Sequence, residues 1–127
     1  MQSQLSVDLD KGVIVVRYDG IPSDDMADAY LEQYTELVRR GVPYTSVFSS
    51  LPDARLPSAA QLRKQAAWVK EHRQITREYC RGLAFALRSP AMRGVLRALL
   101  TMQPFSAEHV VLRDEAEAIA WAKARLS

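Results

Sequence analysis

Leu5, Val7 and Leu9 alternate with polar residues, and after Asp10-Lys11-Gly12 the chain enters Val13–Tyr18, a β-branched and aromatic run. A period of two on both sides of a glycine turn predicts a hairpin, because successive strand side chains point to opposite faces. Met26, Tyr30, Tyr34, Leu37 and Val38 then recur at helical spacing. Ser23 is placed to cap that helix, Asp24 and Asp25 face the positive end of its dipole, and Arg39-Arg40-Gly41 supplies the stop. Tyr44–Ser50 reads as a third strand, and Leu51–Pro57, with two prolines, as a loop. Ser58-Ala59-Ala60-Gln61 has capping-box spacing, in which the glutamine side chain reaches back to the cap amide. The helix it opens carries Leu62, Ala66 and Val69 on one stripe and Trp68, His72, Ile75 and Tyr79 on another, so it is either one long helix touching two surfaces or a helix bent near His72. Leu83–Leu87 is a short continuous apolar run, the pattern of a central strand covered on both faces. Ser89-Pro90 starts the helix of Met92, Val95, Leu96, Leu99 and Leu100, with proline at the position whose amide needs no intrahelical partner. His109–Leu112 is the fifth strand. Asp114 and Glu117 open a last helix with Ile119, Trp121, Ala122 and Leu126. The order is ββαβαβαβα, an α/β chain with a five-stranded mixed sheet and about four helices.

At 127 residues the chain has the length of one domain, spanning 1–127. With 48% hydrophobic and 25% charged residues it has the composition of a globular core. No apolar run approaches the roughly 20 residues of a membrane span, and the first ten residues lack a basic end followed by a greasy stretch, so a cytoplasmic location is expected. The lone Cys80 has no thiol neighbour, which agrees with a reducing compartment. The net charge of +2 conceals an asymmetry: residues 1–53 hold four basic and nine acidic side chains, residues 54–97 ten and two. If the two segments lie on different sides of the fold, the molecule has a polarised field that steers an anionic partner.

Three stretches together resemble the SpoIIAA-like domains of the STAS-like fold, the group that includes the anti-sigma-factor antagonists: Val13–Gly20, Ser58–Val69 with Ala67-Trp68, and Asp114–Ala122 with its tryptophan after an acidic, alanine-rich turn. The resemblance covers roughly 110 residues and rests on packing patterns. It implies a regulatory, signalling-type fold and a role in protein–protein interaction. Those antagonists present a phosphorylatable serine at the start of the helix after the third strand. Ser58 matches that placement, although Leu56-Pro57-Ser58-Ala59-Ala60 departs from the family's acidic residue and serine-serine-glycine-like run. Capping alone explains Ser58, and a phosphate there would still meet free amides and a favourable dipole.

Chemistry-bearing constellations are sparse. His72 and His109 lack metal-ligand spacing, no glycine-rich phosphate loop occurs, and Cys80 with His72 lacks a specific third group, so neither a metal, a cofactor nor a catalytic residue is expected. The acidic series Asp24, Asp25, Asp28, Glu32 and Glu36 reads as a solvated helix face. Arg88-Ser89-Pro90-Ala91-Met92-Arg93 is the most informative short segment. It joins a strand end, two guanidinium groups and a helix N-terminus, which makes Arg88, Ser89 and Arg93 candidates for contact with an anion or partner. The arginines do not share one helix, and aromatic interleaving is weak, which argues against nucleic acid.

The sequence thus points to a non-enzymatic interaction domain with a regulatory, scaffolding or positioning role and a cytoplasmic protein partner. The alternative is a carrier or sensor of a small anionic or lipid-like ligand. Concavity separates them: a pocket lined by Trp68, Met92, Met102 and Phe105 favours a ligand, on the scale of several hundred Å³ usual for such sites, while a filled core with an exposed apolar patch favours a partner.

Overall fold

The computed structural model describes residues 4–20, 22–51, 54–55, 57–102 and 107–127. Its strands are β1 (Gln4–Asp10), β2 (Val13–Asp19), β3 (Tyr44–Ser50), β4 (Cys80–Ala86) and β5 (His109–Leu112). The helices are α1 (Asp24–Val38), α2 (Ala59–Glu71), α3 (Arg73–Tyr79), α4 (Pro90–Met102) and α5 (Glu115–Leu126). The strands form one sheet in the order β1-β2-β3-β4-β5. β1 runs antiparallel to β2 through the hairpin, and the pairs from β2 to β5 are parallel. The hairpin turn holds both Lys11 (φ 50°) and Gly12 (φ 89°) in the left-handed region, the conformation of a two-residue turn that matches strand twist.

The described residues form five helices, one more than the sequence suggested, because the segment after Ser58 breaks at His72. His72 is 3% exposed and stacks on Trp68, with ring centroids 4.2 Å apart. Its Nδ1 lies 2.9 Å from the Trp68 carbonyl and its Nε2 3.1 Å from the Arg39 guanidinium. Since arginine only donates, Nε2 accepts and the proton sits on Nδ1. The imidazole thus occupies a carbonyl at the end of α2 and ties the bend to the end of α1.

Strand alternation divides the interior in two. Ile14, Val16, Leu83, Phe85 and Leu87 project toward α1 with Tyr34 and Val38, and Trp68, Ile75 and Met92 pack against the same cluster. Val13, Val15, Val47, Ala84 and Ala86 project toward α5, where they meet Ala118 and Ala122. Four helices therefore share one face and α5 alone covers the other.

The caps at Ser23, Ser58 and Asp114 form as read, with one correction at Gln61. Ser23 accepts from the Met26 amide at 3.2 Å, Ser58 from the Gln61 amide at 3.1 Å and Asp114 from the Ala116 amide at 2.9 Å. Gln61, however, does not complete a capping box. Its buried side chain donates instead to the Pro22 carbonyl at 3.0 Å and to Asp24 at 2.9 Å, fastening the start of α2 to the start of α1.

Candidate functional site

Between the four-helix face and the sheet lies a partly enclosed cavity of about 180 Å³. Its floor is the sheet, through Val16, Phe48, Leu83, Phe85 and Leu87. Its walls are Ala27, Tyr30, Leu31 and Tyr34 from α1, Leu62, Trp68 and Val69 from α2, and Met92, Val95 and Leu96 from α4. The aromatic residues form one connected set: Tyr34 lies 5.8 Å from Tyr30, 5.7 Å from Phe48 and 5.1 Å from Trp68, and Phe48 stacks on Phe85 at 5.3 Å. The void lies among these rings.

Most polar atoms in the wall are committed to the protein. Tyr34 Oη and Ser46 Oγ are 2.7 Å apart, Trp68 Nε1 donates to Thr35 Oγ1 at 2.8 Å, and Ser50 Oγ donates to the Ala86 carbonyl at 3.3 Å. Burial holds the Tyr30 and Tyr34 hydroxyls well above the usual tyrosine range, so both stay neutral. Tyr18 differs. Its side chain lines the cavity, and its hydroxyl oxygen is buried with no hydrogen-bond partner among the described residues. The neighbouring Arg55 amide slightly favours the ionised form, but burial outweighs it and raises the pKa, and that amide's hydrogen goes to the Gly20 carbonyl at 2.9 Å. A buried hydroxyl left unpaired is costly unless water or a ligand satisfies it.

Two of the four residues expected at a pocket, Trp68 and Met92, line this one. The Met102 side chain and Phe105 lie outside the described residues. Sequence reasoning missed Tyr18, Tyr30, Tyr34, Phe48 and Phe85. The tyrosines of α1 were legible as a stripe, but nothing local says that their ring edges meet Phe48 and Trp68 from other elements. Ser58 is exposed at the N-terminus of α2 and occupied as a cap.

Arg88, Ser89 and Arg93 sit apart from the cavity wall. Arg88 and Arg93 border a second, open depression with Pro90, Arg113 and Asp114. The field expected from the charge asymmetry is partly cancelled at source. The acidic α1 and the basic α2 lie side by side on one face, and Lys64 Nζ pairs with Asp28 at 2.9 Å. Cys80 and His72 do not form a pair: the thiol donates to the Gly82 carbonyl at 3.4 Å while His72 engages Arg39 and Trp68. Among the described residues no group of three or more His, Cys, Asp and Glu side chains could hold a metal ion, and no helix is long and apolar enough to cross a membrane.

The architecture resembles solved structures at low sequence identity. One is a DUF3478-family protein with a SpoIIAA-like fold from Shewanella loihica PV-4, at TM-score 0.67 and 9% identity, covering 94% of this chain and 93% of that one. Another is an anti-sigma factor antagonist from Mycobacterium paratuberculosis, at TM-score 0.58 and 16% identity, covering 96% and 95%. These likenesses bear out the SpoIIAA-like, STAS-like fold. No family model and no curated protein matches the sequence.

Proposed function

We propose that this chain is a non-enzymatic binding domain whose working site is the aromatic-walled cavity, and that its occupant is a small, mainly apolar molecule carrying one hydroxyl or carbonyl group. The buried Tyr18 hydroxyl, unpaired among the described residues in a mainly apolar wall, carries the reading: it supplies one orienting hydrogen bond where most other contacts are dispersive. Size limits the occupant. A dry engineered cavity of roughly 150 Å³ accepts benzene, so about 180 Å³ suits a single ring or a short branched chain. That is smaller than the several hundred Å³ set as the mark of a ligand carrier, and it excludes a whole lipid from the space as it stands. The test uses Trp68 as reporter. With Trp121→Phe it is the sole tryptophan, since the sequence has two. Titration with phenol, benzyl alcohol and benzene should give a saturable change in emission. The two alcohols should bind more tightly than benzene, and Tyr18→Phe should remove that advantage. Linear, unsaturable changes with all three compounds would sink the proposal.

Protein interaction, the role expected first from the sequence, is supported by a different observation: the likeness to an anti-sigma factor antagonist, together with an exposed serine at the start of the helix after the third strand. On this reading phosphate on Ser58 governs partner affinity. Ser58→Asp should then change capture of a partner, whereas a purely structural cap predicts no change, because aspartate also caps.

A further inference from the structure

The open depression at the carboxyl ends of β4 and β5 joins residues that the sequence separates. Leu87 and Leu112 each directly follow or end their strand, and the Leu87 amide donates to the Leu112 carbonyl at 2.9 Å. The next residues, Arg88 and Arg113, are thereby brought to the same edge. The chain then departs in opposite directions: α4 crosses to the aromatic face and α5 to the alanine face. A crevice where successive helices diverge from the carboxyl ends of parallel strands is the usual ligand position in open α/β sheets. Arg93 completes the rim from the first turn of α4, where its Nε donates to the Leu87 carbonyl at 3.3 Å, leaving the outer nitrogens of the guanidinium uncommitted among the described residues.

Charge balance is the decisive feature. Arg17, Lys64, Lys123 and Arg125 each pair with a carboxylate. Among the described residues the other lysine and arginine side chains pair with no carboxylate, and three of them, Arg88, Arg93 and Arg113, are gathered in one depression. The single acid there, Asp114, has its Oδ1 engaged by the Ala116 amide as the cap of α5. The first turn of α4 contains no acidic residue, and Pro90 and the Arg93-to-Ser89 bond define its start. Three guanidinium groups against one carboxylate leave an excess of two positive charges.

We infer that this depression binds a phosphate monoester dianion, held by forked hydrogen bonds from Arg88, Arg93 and Arg113. Arginine suits the task because its planar donors match tetrahedral oxyanions two at a time. The site is independent of the apolar-ligand proposal, since the two concavities have separate walls.

The test follows arginine Nε–H and backbone amide resonances during titration with inorganic phosphate, at ionic strength held constant with sodium chloride. Saturable shifts should concentrate at Arg93 and the first turn of α4. The double variant Arg88→Gln/Arg113→Gln should weaken phosphate binding at least tenfold while amide shifts elsewhere stay in place, and Arg88→Lys/Arg113→Lys should recover only part of the loss. Ala27→Leu, which fills the other cavity, should leave phosphate affinity unchanged. A second arm separates the sources of the group. Binding to glycerol 3-phosphate identifies a soluble phosphomonoester. Binding to phosphatidic acid vesicles but not phosphatidylcholine vesicles, without effect of glycerol 3-phosphate, identifies a lipid headgroup. Either supports the site if the glutamine variant abolishes it. Unsaturable shifts spread over Arg63, Arg73 and Arg97 as much as Arg93, or wild-type phosphate affinity in the glutamine variant, would overturn it.

Discussion

The two faces of the sheet are built from opposite materials. Toward α5 the interior is Val13, Val15, Val47, Ala84 and Ala86 against Ala118 and Ala122. Small side chains let the helix approach the strands closely, so that Thr45 Oγ1 reaches across to the Ala122 carbonyl at 3.1 Å. Toward α1, α2 and α4 the interior is Tyr34, Phe48, Trp68 and Phe85, and a cavity remains among them. One face is closed by fit and the other is held apart by rings. The open space therefore lies on the face with the larger side chains.

The sharpest way to break this comparison is to add the same volume to both faces. Ala122 is fully buried, and Ala122→Leu must displace β-strand neighbours that have nowhere to go. It should cost roughly 3 kcal/mol in chemical denaturation. Ala27 is also buried but lines the cavity, so Ala27→Leu puts methyl groups into empty space and should change stability by less than about 1 kcal/mol while blocking phenol binding. Equal destabilisation by both would show that the aromatic face is as full as the other.

Alkaline pH should strike the aromatic face selectively, because among the described residues the buried titratable groups lie there. Burial pushes the Cys80 thiol up to about 11 from an ordinary value of 9.0, and it also raises Tyr30, Tyr34 and Tyr44. The unfolded chain releases the thiol proton near pH 9 while the folded chain keeps it until about pH 11. Stability contributed by the neutral thiol is thus complete below pH 9 and is lost as pH rises, at about 1.4 kcal/mol per pH unit, for a total of roughly 2–3 kcal/mol. Tyrosine adds to the loss above pH 10. Unfolding free energies at pH 8, 9 and 10 should show this decline, and Cys80→Ala should flatten it between pH 9 and 10. An unchanged slope in that variant would remove the thiol from the account.

A smaller effect sharpens the picture of the α5 face. A Cβ on Gly82 would lie 2.7 Å and 2.8 Å from ring atoms of Trp121, whose ring also receives Arg125 at 5.2 Å. Gly82→Ala should cost about 1–2 kcal/mol, since the half-buried indole can shift only partly. Trp121→Ala should itself cost about 2 kcal/mol, less than for a fully buried tryptophan, and Gly82→Ala should become nearly neutral in that background. A cycle showing no coupling would mean that the close approach carries no energy.

These pairs also show what the sequence could and could not reveal. The strands at Val13–Tyr18, Tyr44–Ser50 and His109–Leu112 were legible because alternation and β-branching act locally, and Ser23, Ser58 and Asp114 because a cap and its amide lie two or three residues apart. The bend at His72 was half legible, as a change of stripe. What escaped was contact at long range. Gln61 matches a capping box by spacing, yet its amide is drawn 37 residues away to Asp24, which competes successfully with the cap. Arg113 was not legible as a site residue because nothing near it in sequence is basic, and only the β4–β5 pairing brings it beside Arg88. Periodicity says that a helix has an apolar face without saying which sheet face receives it, so the division into an alanine face and an aromatic face was not readable.

Gly94 supplies the smallest test and the one of opposite sign. Both Gly82 and Gly94 lack a side chain for no evident local reason, and neither has a positive φ. Within a helix, glycine is justified where close packing requires it. At Gly94 the structure denies that requirement: a Cβ there would meet nothing within 4 Å, and the residue is exposed on α4. With no steric demand, the glycine leaves only its entropic cost, because it gives up more backbone freedom on folding than alanine does. Gly94→Ala should therefore stabilise the protein by roughly 0.5–1 kcal/mol, where Gly82→Ala on the tight face destabilises it. Because α4 forms one wall of the cavity through Met92, Val95 and Leu96, the substitution also tests whether a pliable wall matters. If glycine serves only as a neutral surface residue, stopped-flow association of phenol with Gly94→Ala proceeds at the wild-type rate. If helix pliancy admits the ligand, association slows while stability still rises. A loss of stability would contradict the open surroundings of Gly94 and place an unseen contact on the outer face of α4.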